Sequence, residues 1–143
     1  KIVTLKKKIL FVCTGNSCRS QIAHGLLNNI ASDRFEVFSA GLSPNKVHPM
    51  AIEVMKEINI DISHHTSDRL DDYLDKDIDV VITTCDDANE SCPVFPGNVV
   101  RLHWSINDPF ESWNLEDSNI QLFRDTRNKI EEKIRSFLQS NEV

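Results

Sequence analysis

Two rhythms of apolar residues run along the chain, and they alternate. Ile9 to Val12 is an unbroken apolar run that ends at Cys13 in a polar, Gly15-containing loop. That is the pattern of a strand buried on both faces. From Arg19 to Ile30 the apolar positions Ile22, Ala23, Leu26, Leu27 and Ile30 return at helical spacing on one face. Phe35 to Ala40 alternates as a strand does and stops at Gly41, and "GLSPNKVHP" then reads as a loop from its Gly, Pro and Asn content. Pro49 to Ile58 is helical in spacing through Ile52, Met55 and Ile58, with Pro49 suited to a first helical turn. "TSDRLDDYLDK" predicts a short helix capped by Thr66 or Ser67. Ile78 to Thr83 is a further apolar strand, and Asn98 to Trp104 a fourth. Between them Cys85 to Gly97 is polar and acidic and closes on Pro93, Pro96 and Gly97, which predicts a loop or a marginal helix. "SINDPFESWNLED" is a long loop before a C-terminal helix from Gln121 to Leu138, with Leu122, Ile130, Ile134 and Leu138 on one side.

The order of elements points to an α/β fold: one domain over residues 1–143, a four-stranded, mostly parallel sheet flanked by helices. Ligands of such sheets bind at the carboxyl ends of the strands. Cys13 ends the first strand, Cys85 follows the third and Asp108 follows the fourth, so the three are expected along one edge. Composition narrows the classes. A chain of 143 residues with 40% apolar and 27% charged residues can bury a core as a soluble domain. A net charge of −6 argues against a nucleic-acid partner, which would call for a basic face. Lysines precede the first apolar run, but Ile9 to Val12 is too short for a signal sequence, and nothing approaches a membrane span. A cytoplasmic protein with no membrane partner is expected, and its four cysteines then favour catalysis or metal binding over structural disulfides.

The chemistry gathers in "CTGNSCRS" and "CDDANESC". The first stretch can be a metal knuckle, a redox pair or an anion cradle. A loop between a strand's end and a helix's start points backbone N–H groups inward, and the helix dipole adds positive charge. Cys13 and Arg19 are separated by five residues, Thr14, Gly15, Asn16, Ser17 and Cys18, enough to wrap a tetrahedral oxyanion. Arg19 can hold two of its oxygens at once, where Lys could not with the same geometry. Gly15 and Asn16 tolerate the positive φ that a tight nest needs. The same donors favour a thiolate at Cys13 and make it a nucleophile, with Ser20 as a further donor to it. A plain strand-to-helix turn around a buried cysteine shares the spacing; the strand before and the helix after favour the cradle. Zinc is disfavoured because Cys85 and Cys92 have six residues between them, where knuckles prefer two to four. No metal or other cofactor is expected.

"CTGNSCRSQIA" resembles the active-site loop of the low-molecular-weight tyrosine phosphatase fold, and more closely that of the thioredoxin-coupled arsenate reductases built on it. The resemblance runs from about Lys8 to the last helix and includes "FSAG", "DISHHTSD", "TTCDDANESCP" and "HWSINDP". It implies a set of roles. Cys13 attacks arsenate held by Arg19 and the loop from Thr14 to Ser20, and Asp108 of the Asp-Pro pair protonates the departing oxygen. Cys85 then attacks Cys13, arsenite leaves, and Cys92 moves the disulfide to Cys85–Cys92 for thioredoxin to reduce. A phosphatase needs neither Cys85 nor Cys92, and remains the alternative. Gln21 stands where the phosphatases usually have Pro. Phe110 and Glu111 follow the acid where they tend to carry tyrosines; the only tyrosine here is Tyr73. Cys18 is expected to pack the loop wall without a redox step. The relay requires the Cys85–Pro96 segment to rearrange. Relatives can bind potassium at positions matching Asn16, Ser39 and Asp68, but the acid of that site is His24 here, which weakens a hard-cation site. His65 and Thr66 are candidates for shaping the loop or tuning Cys85. His48, His64 and His103 are read as surface or packing residues, and Trp104 and Trp113 as packing beside the acid loop rather than a ligand box. The protein is expected to act as a monomer.

Overall fold

The computed structural model describes residues 6–115 and 117–140. Four strands, β1 (Lys7–Cys13), β2 (Phe35–Gly41), β3 (Val80–Thr83) and β4 (Val100–His103), form one sheet in the order β2-β1-β3-β4. Every pairing is parallel, so the "mostly parallel" expectation resolves to a wholly parallel sheet. The helices are α1 (Arg19–Ala31), α2 (Pro49–Lys56), α3 (Asp86–Ser91) and α4 (Asp117–Gln139), with one 3-10 turn at Leu70–Tyr73. α3 supplies the connection that parallel β3 and β4 require, where the sequence pattern left a loop or a marginal helix.

Alternation along each strand sorts the core into two layers. Ile9, Phe11, Val80 and Ile82 face one side, with Ile22, Leu26 and Leu27 of α1, Val54 and Met55 of α2, and Phe123, Ile130, Ile134 and Phe137 of α4. Leu10, Val12 and Val81 face the other, with Leu70, Ile78, Ala88 and Phe95. The α4 face differs from the one the spacing suggested. Leu122 is 43% exposed, and Phe123 takes its place in the core. Thr66 and Ser67 also depart from expectation: the 3-10 turn has no side-chain cap. Thr66 Oγ1 donates to Asp68 Oδ1, and Ser67 Oγ to the Asn16 carbonyl. α2 is capped instead by His48, whose Nδ1 accepts the Met50 amide at 3.0 Å.

The strand order reverses direction between β1 and β3. The carboxyl ends of these two neighbours form the switch point at which open parallel sheets bind ligands. Cys13 closes β1 there, and Cys85 lies two residues beyond the end of β3.

Candidate active site

The loop from Cys13 to Cys18 turns its carbonyls outward. Those of Cys13, Thr14, Gly15 and Ser17 accept the amides of Leu42, Ser43, Asn45 and His48 at 2.9–3.2 Å. The Asn16 carbonyl takes Gln21 Nε2 and Ser67 Oγ, and the Cys18 carbonyl starts the α1 ladder. In a trans peptide the next N–H points opposite to the carbonyl, so the amides of residues 14–19 are directed to the centre of the loop. Asn16 alone among the loop residues takes a positive φ, 50°; Gly15 does not need one. The demand for a glycine falls instead on Gly41 across the way. A Cβ there would meet the Thr14 carbonyl oxygen at 2.7 Å and the Asn16 nitrogen at 2.8 Å, so only glycine lets β2 approach the loop. In the sequence Gly41 had served only to end a strand.

Cys13 is 2% exposed. The Asn16 amide donates to its Sγ at 3.2 Å, and Ser20 Oγ lies 2.9 Å away. Asn16 Nδ2 donates to Ser20 Oγ at 2.8 Å, which leaves the Ser20 proton free to point at the sulfur. Arg19 is buried, and its Nη1 donates to the Ile106 carbonyl at 3.0 Å. Its Nη2 is 3.5 Å from Asp108 Oδ2. Nε is the one buried side-chain nitrogen or oxygen among the described residues with no hydrogen-bond partner. A buried, unanswered guanidinium N–H beside inward amides is what an oxyanion would satisfy.

A pocket of about 260 Å³ opens over the loop, lined by Cys13, Thr14, Gly15, Ser17, Cys18, Arg19, Ser43, Asn45, Asp108, Phe110 and Trp113. Ser43 and Asn45 carry no chemical signal in the sequence and reach the mouth only through the fold. Trp104 is a core residue against Phe11, while Trp113 packs on Phe110 beside the Asp108 loop and forms part of the pocket wall. Behind it His48, fully buried, ties two loops together. Its amide bonds the Ser17 carbonyl, and its ring stacks on Trp113 at 5.2 Å. Because Nδ1 already accepts from Met50, Nε2 carries the proton and donates it to the Ser112 carbonyl. Burial holds His48 below the usual histidine range, which keeps the ring neutral.

The four cysteines are reduced and buried. Cys13, Cys85 and Cys92 share the hydrophobic layer under α3, while Cys18 packs into the opposite layer. Cys85 Sγ lies 3.4 Å from Thr14 Oγ1, the neighbour of Cys13. It also caps α3, accepting the Ala88 amide at 3.4 Å. Burial pushes the Cys18 and Cys92 thiols up, so both are held protonated.

A second polar cluster braces the loop from outside. Gln21, fully buried, donates through Nε2 to the Asn16 and Thr66 carbonyls at 3.0 and 2.9 Å, and its Oε1 accepts His65 Nδ1 at 2.9 Å. His24 stacks on His65 at 4.3 Å and bonds Ser39 Oγ at 2.9 Å. Burial, with His65 and His64 adding to it, lowers His24 to about 3. At the positions matched to a potassium site, Asn16 Oδ1 accepts the Asp68 amide, Ser39 is bonded to His24, and Asp68 takes the hydroxyls of Thr66 and Tyr73. No group of three or more metal-ligating side chains is assembled among the described residues. None of their helices is long and apolar enough to cross a membrane.

Comparison with known proteins agrees with this geometry. Residues 8–142 match the family of low molecular weight phosphotyrosine protein phosphatases. "Arsenate reductase 2" of Staphylococcus saprophyticus is 47% identical over 133 residues, covering 92% of this chain and 96% of the relative. A solved arsenate reductase in its oxidized state is 33% identical with a TM-score of 0.77, over 91% of this chain and 95% of that one. A thioredoxin-dependent arsenate reductase of Corynebacterium glutamicum is 30% identical with a TM-score of 0.71, over 98% of this chain and 66% of the other.

Proposed function

The chain belongs to the low molecular weight phosphotyrosine protein phosphatase family, and from that premise we propose that it is an arsenate reductase of the thioredoxin-dependent type. The observation that carries the reading is the placement of Cys85 and Cys92 in the same buried layer as Cys13, with Cys85 against the neighbouring Thr14. A phosphatase makes no use of either thiol. The named relatives support the same choice.

Arsenate enters the amide-lined cradle, and Arg19 Nε and Nη2 take its oxygens. Cys13 attacks arsenic, an arsenic–oxygen bond breaks, and Asp108 in the mouth hands its proton to the leaving oxygen, which departs as water. Cys85 then attacks Cys13 Sγ. The sulfur–arsenic bond breaks with its electron pair going to arsenic, so arsenic(V) becomes arsenic(III) and arsenite leaves. Two thiols have become the Cys13–Cys85 disulfide, which balances the two electrons. Cys92 attacks Cys85 Sγ, Cys13 is released as a thiol, and the Cys85–Cys92 disulfide is passed to thioredoxin's dithiol.

Single turnover without external thiol tests the sequence. One arsenate should consume two thiols and leave Cys85 bonded to Cys92. The Cys92→Ser variant should stop at Cys13–Cys85. Arsenate that consumes no thiols would leave the phosphatase reading in its place.

A further inference from the structure

Alternation along β4 and the two residues after it puts Arg101, His103 and Ser105 on one side of the chain and Leu102 and Trp104 on the other. Leu102 and Trp104 enter the layer packed by α1, α2 and α4. The opposite side carries α3; the groups that β4 and Ser105 present to it are polar, while Cys85, Ala88, Cys92 and Phe95 of the α3 segment reach the apolar layer beside β3. His103 Nε2 lies 2.9 Å from Asp86 Oδ1, and Ser105 Oγ donates to the same oxygen at 3.2 Å. Arg101 reaches the other end of the helix, where Nη1 donates to the Cys92 carbonyl at 3.4 Å and Nη2 to the Asn89 carbonyl. Thr83 Oγ1 of β3 lies 3.3 Å from Asn89 Oδ1. Of the six α3 residues only Ala88 is buried.

We propose that Arg101, His103 and Ser105 are positioning residues that form a releasable polar seat for α3, with Arg101 as the latch that keeps Cys92 covered until the relay needs it. A helix meant to stay would be held by apolar pairs, whose exposure costs free energy in proportion to area. A helix that must leave is better held by groups that water satisfies once they part. The seat fits the second case at both ends. Arg101 also occupies carbonyls at the carboxyl end of α3, which an unwinding helix must free first. The role in arsenate chemistry rests on the relay proposed above; the latch itself does not.

Pulsed alkylation of the reduced full-length chain, resolved cysteine by cysteine by mass spectrometry, tests it. Arg101→Ala should raise the alkylation rate of Cys92 on the order of tenfold, the scale of one charge-assisted hydrogen bond, and Arg101→Lys should fall between. Amide exchange in β1 and β3 should stay at wild-type rates. The sign discriminates, because Arg101 favours the Cys92 thiolate and losing its charge alone would slow the reaction. An unchanged or slower Cys92 rate overturns the latch. So does a rise shared by Cys13 and Cys18 with faster exchange in β1, which would mean general loosening. If Arg101→Ala exposes Cys92 while arsenate consumes no thiols, the latch stands and the relay falls.

Discussion

Position 24 illustrates how one side chain sets a pH response. His24 is stacked on His65, bonded to Ser39 and lowered to about 3 by burial. An unfolded histidine takes its proton near pH ~6.5. Above that pH neither state binds it, and the stability contribution of the neutral, packed ring is complete. Between about pH 6.5 and 3 the unfolded state binds a proton that the folded state refuses, so stability falls as pH falls. The dependence of melting temperature on pH over that window should therefore be shallower in His24→Asn than in the wild type. Parallel curves would mean that His24 titrates normally in the folded protein. The role of Gln21 belongs to this scale too. It stands where phosphatases carry proline, and its amide supplies two hydrogen bonds that fasten the back of the anion loop.

Among the elements, α3 is the one that the proposed relay has to move. Cys85 is its N-cap and Cys92 its C-cap, seven residues apart in sequence. At helical rise that places their Cα atoms about 10 Å apart. A disulfide needs roughly 4.4–6.8 Å, so Cys85–Cys92 cannot close while α3 is wound. A six-residue helix with one buried residue has little to lose by unwinding. Ala88 and Asn89, whose amides bond Cys85 Sγ and the Cys85 carbonyl, should lose at least about tenfold of their exchange protection on oxidation. Equal protection in reduced and oxidised protein would remove the case for unwinding. The sequence pattern marked the segment as polar and acidic, and Asp86, Asp87, Glu90 and Ser91 are exposed, but Cys85, Ala88, Cys92 and Phe95 anchor it in the apolar layer. It did not show that a helix would form there, because a cysteine cap and an arginine from another strand complete it.

For the molecule as a whole, the two faces of the sheet are packed unequally. The layer packed by α1, α2 and α4 is extensive and apolar, while the smaller layer under α3 holds the three thiols of the proposed relay. Burial, more than spacing, decides which α4 residues support the larger layer. Ile134→Ala should cost about 2–5 kcal/mol of unfolding free energy, and Leu122→Ala within about 0.5 kcal/mol, by denaturant titration. Equal costs would restore the face read from spacing. What the sequence determined by itself was the run of strands and long helices and the make-up of the loop after β1. The strands and long helices follow from apolar period. The cradle follows from a cysteine, five small or polar residues and an arginine between a strand and a helix. Tertiary structure alone decided what depends on segments distant in the chain. It required glycine at position 41, because β2 passes within a Cβ radius of the loop backbone. It put Trp113 in the pocket wall and His48 behind it as a strut. It divided the cysteines, placing Cys18 in one layer and Cys13, Cys85 and Cys92 in the other. The physical reason is that periodicity records which side of an element faces apolar matter, whereas which groups meet there is set by the order of strands in the sheet.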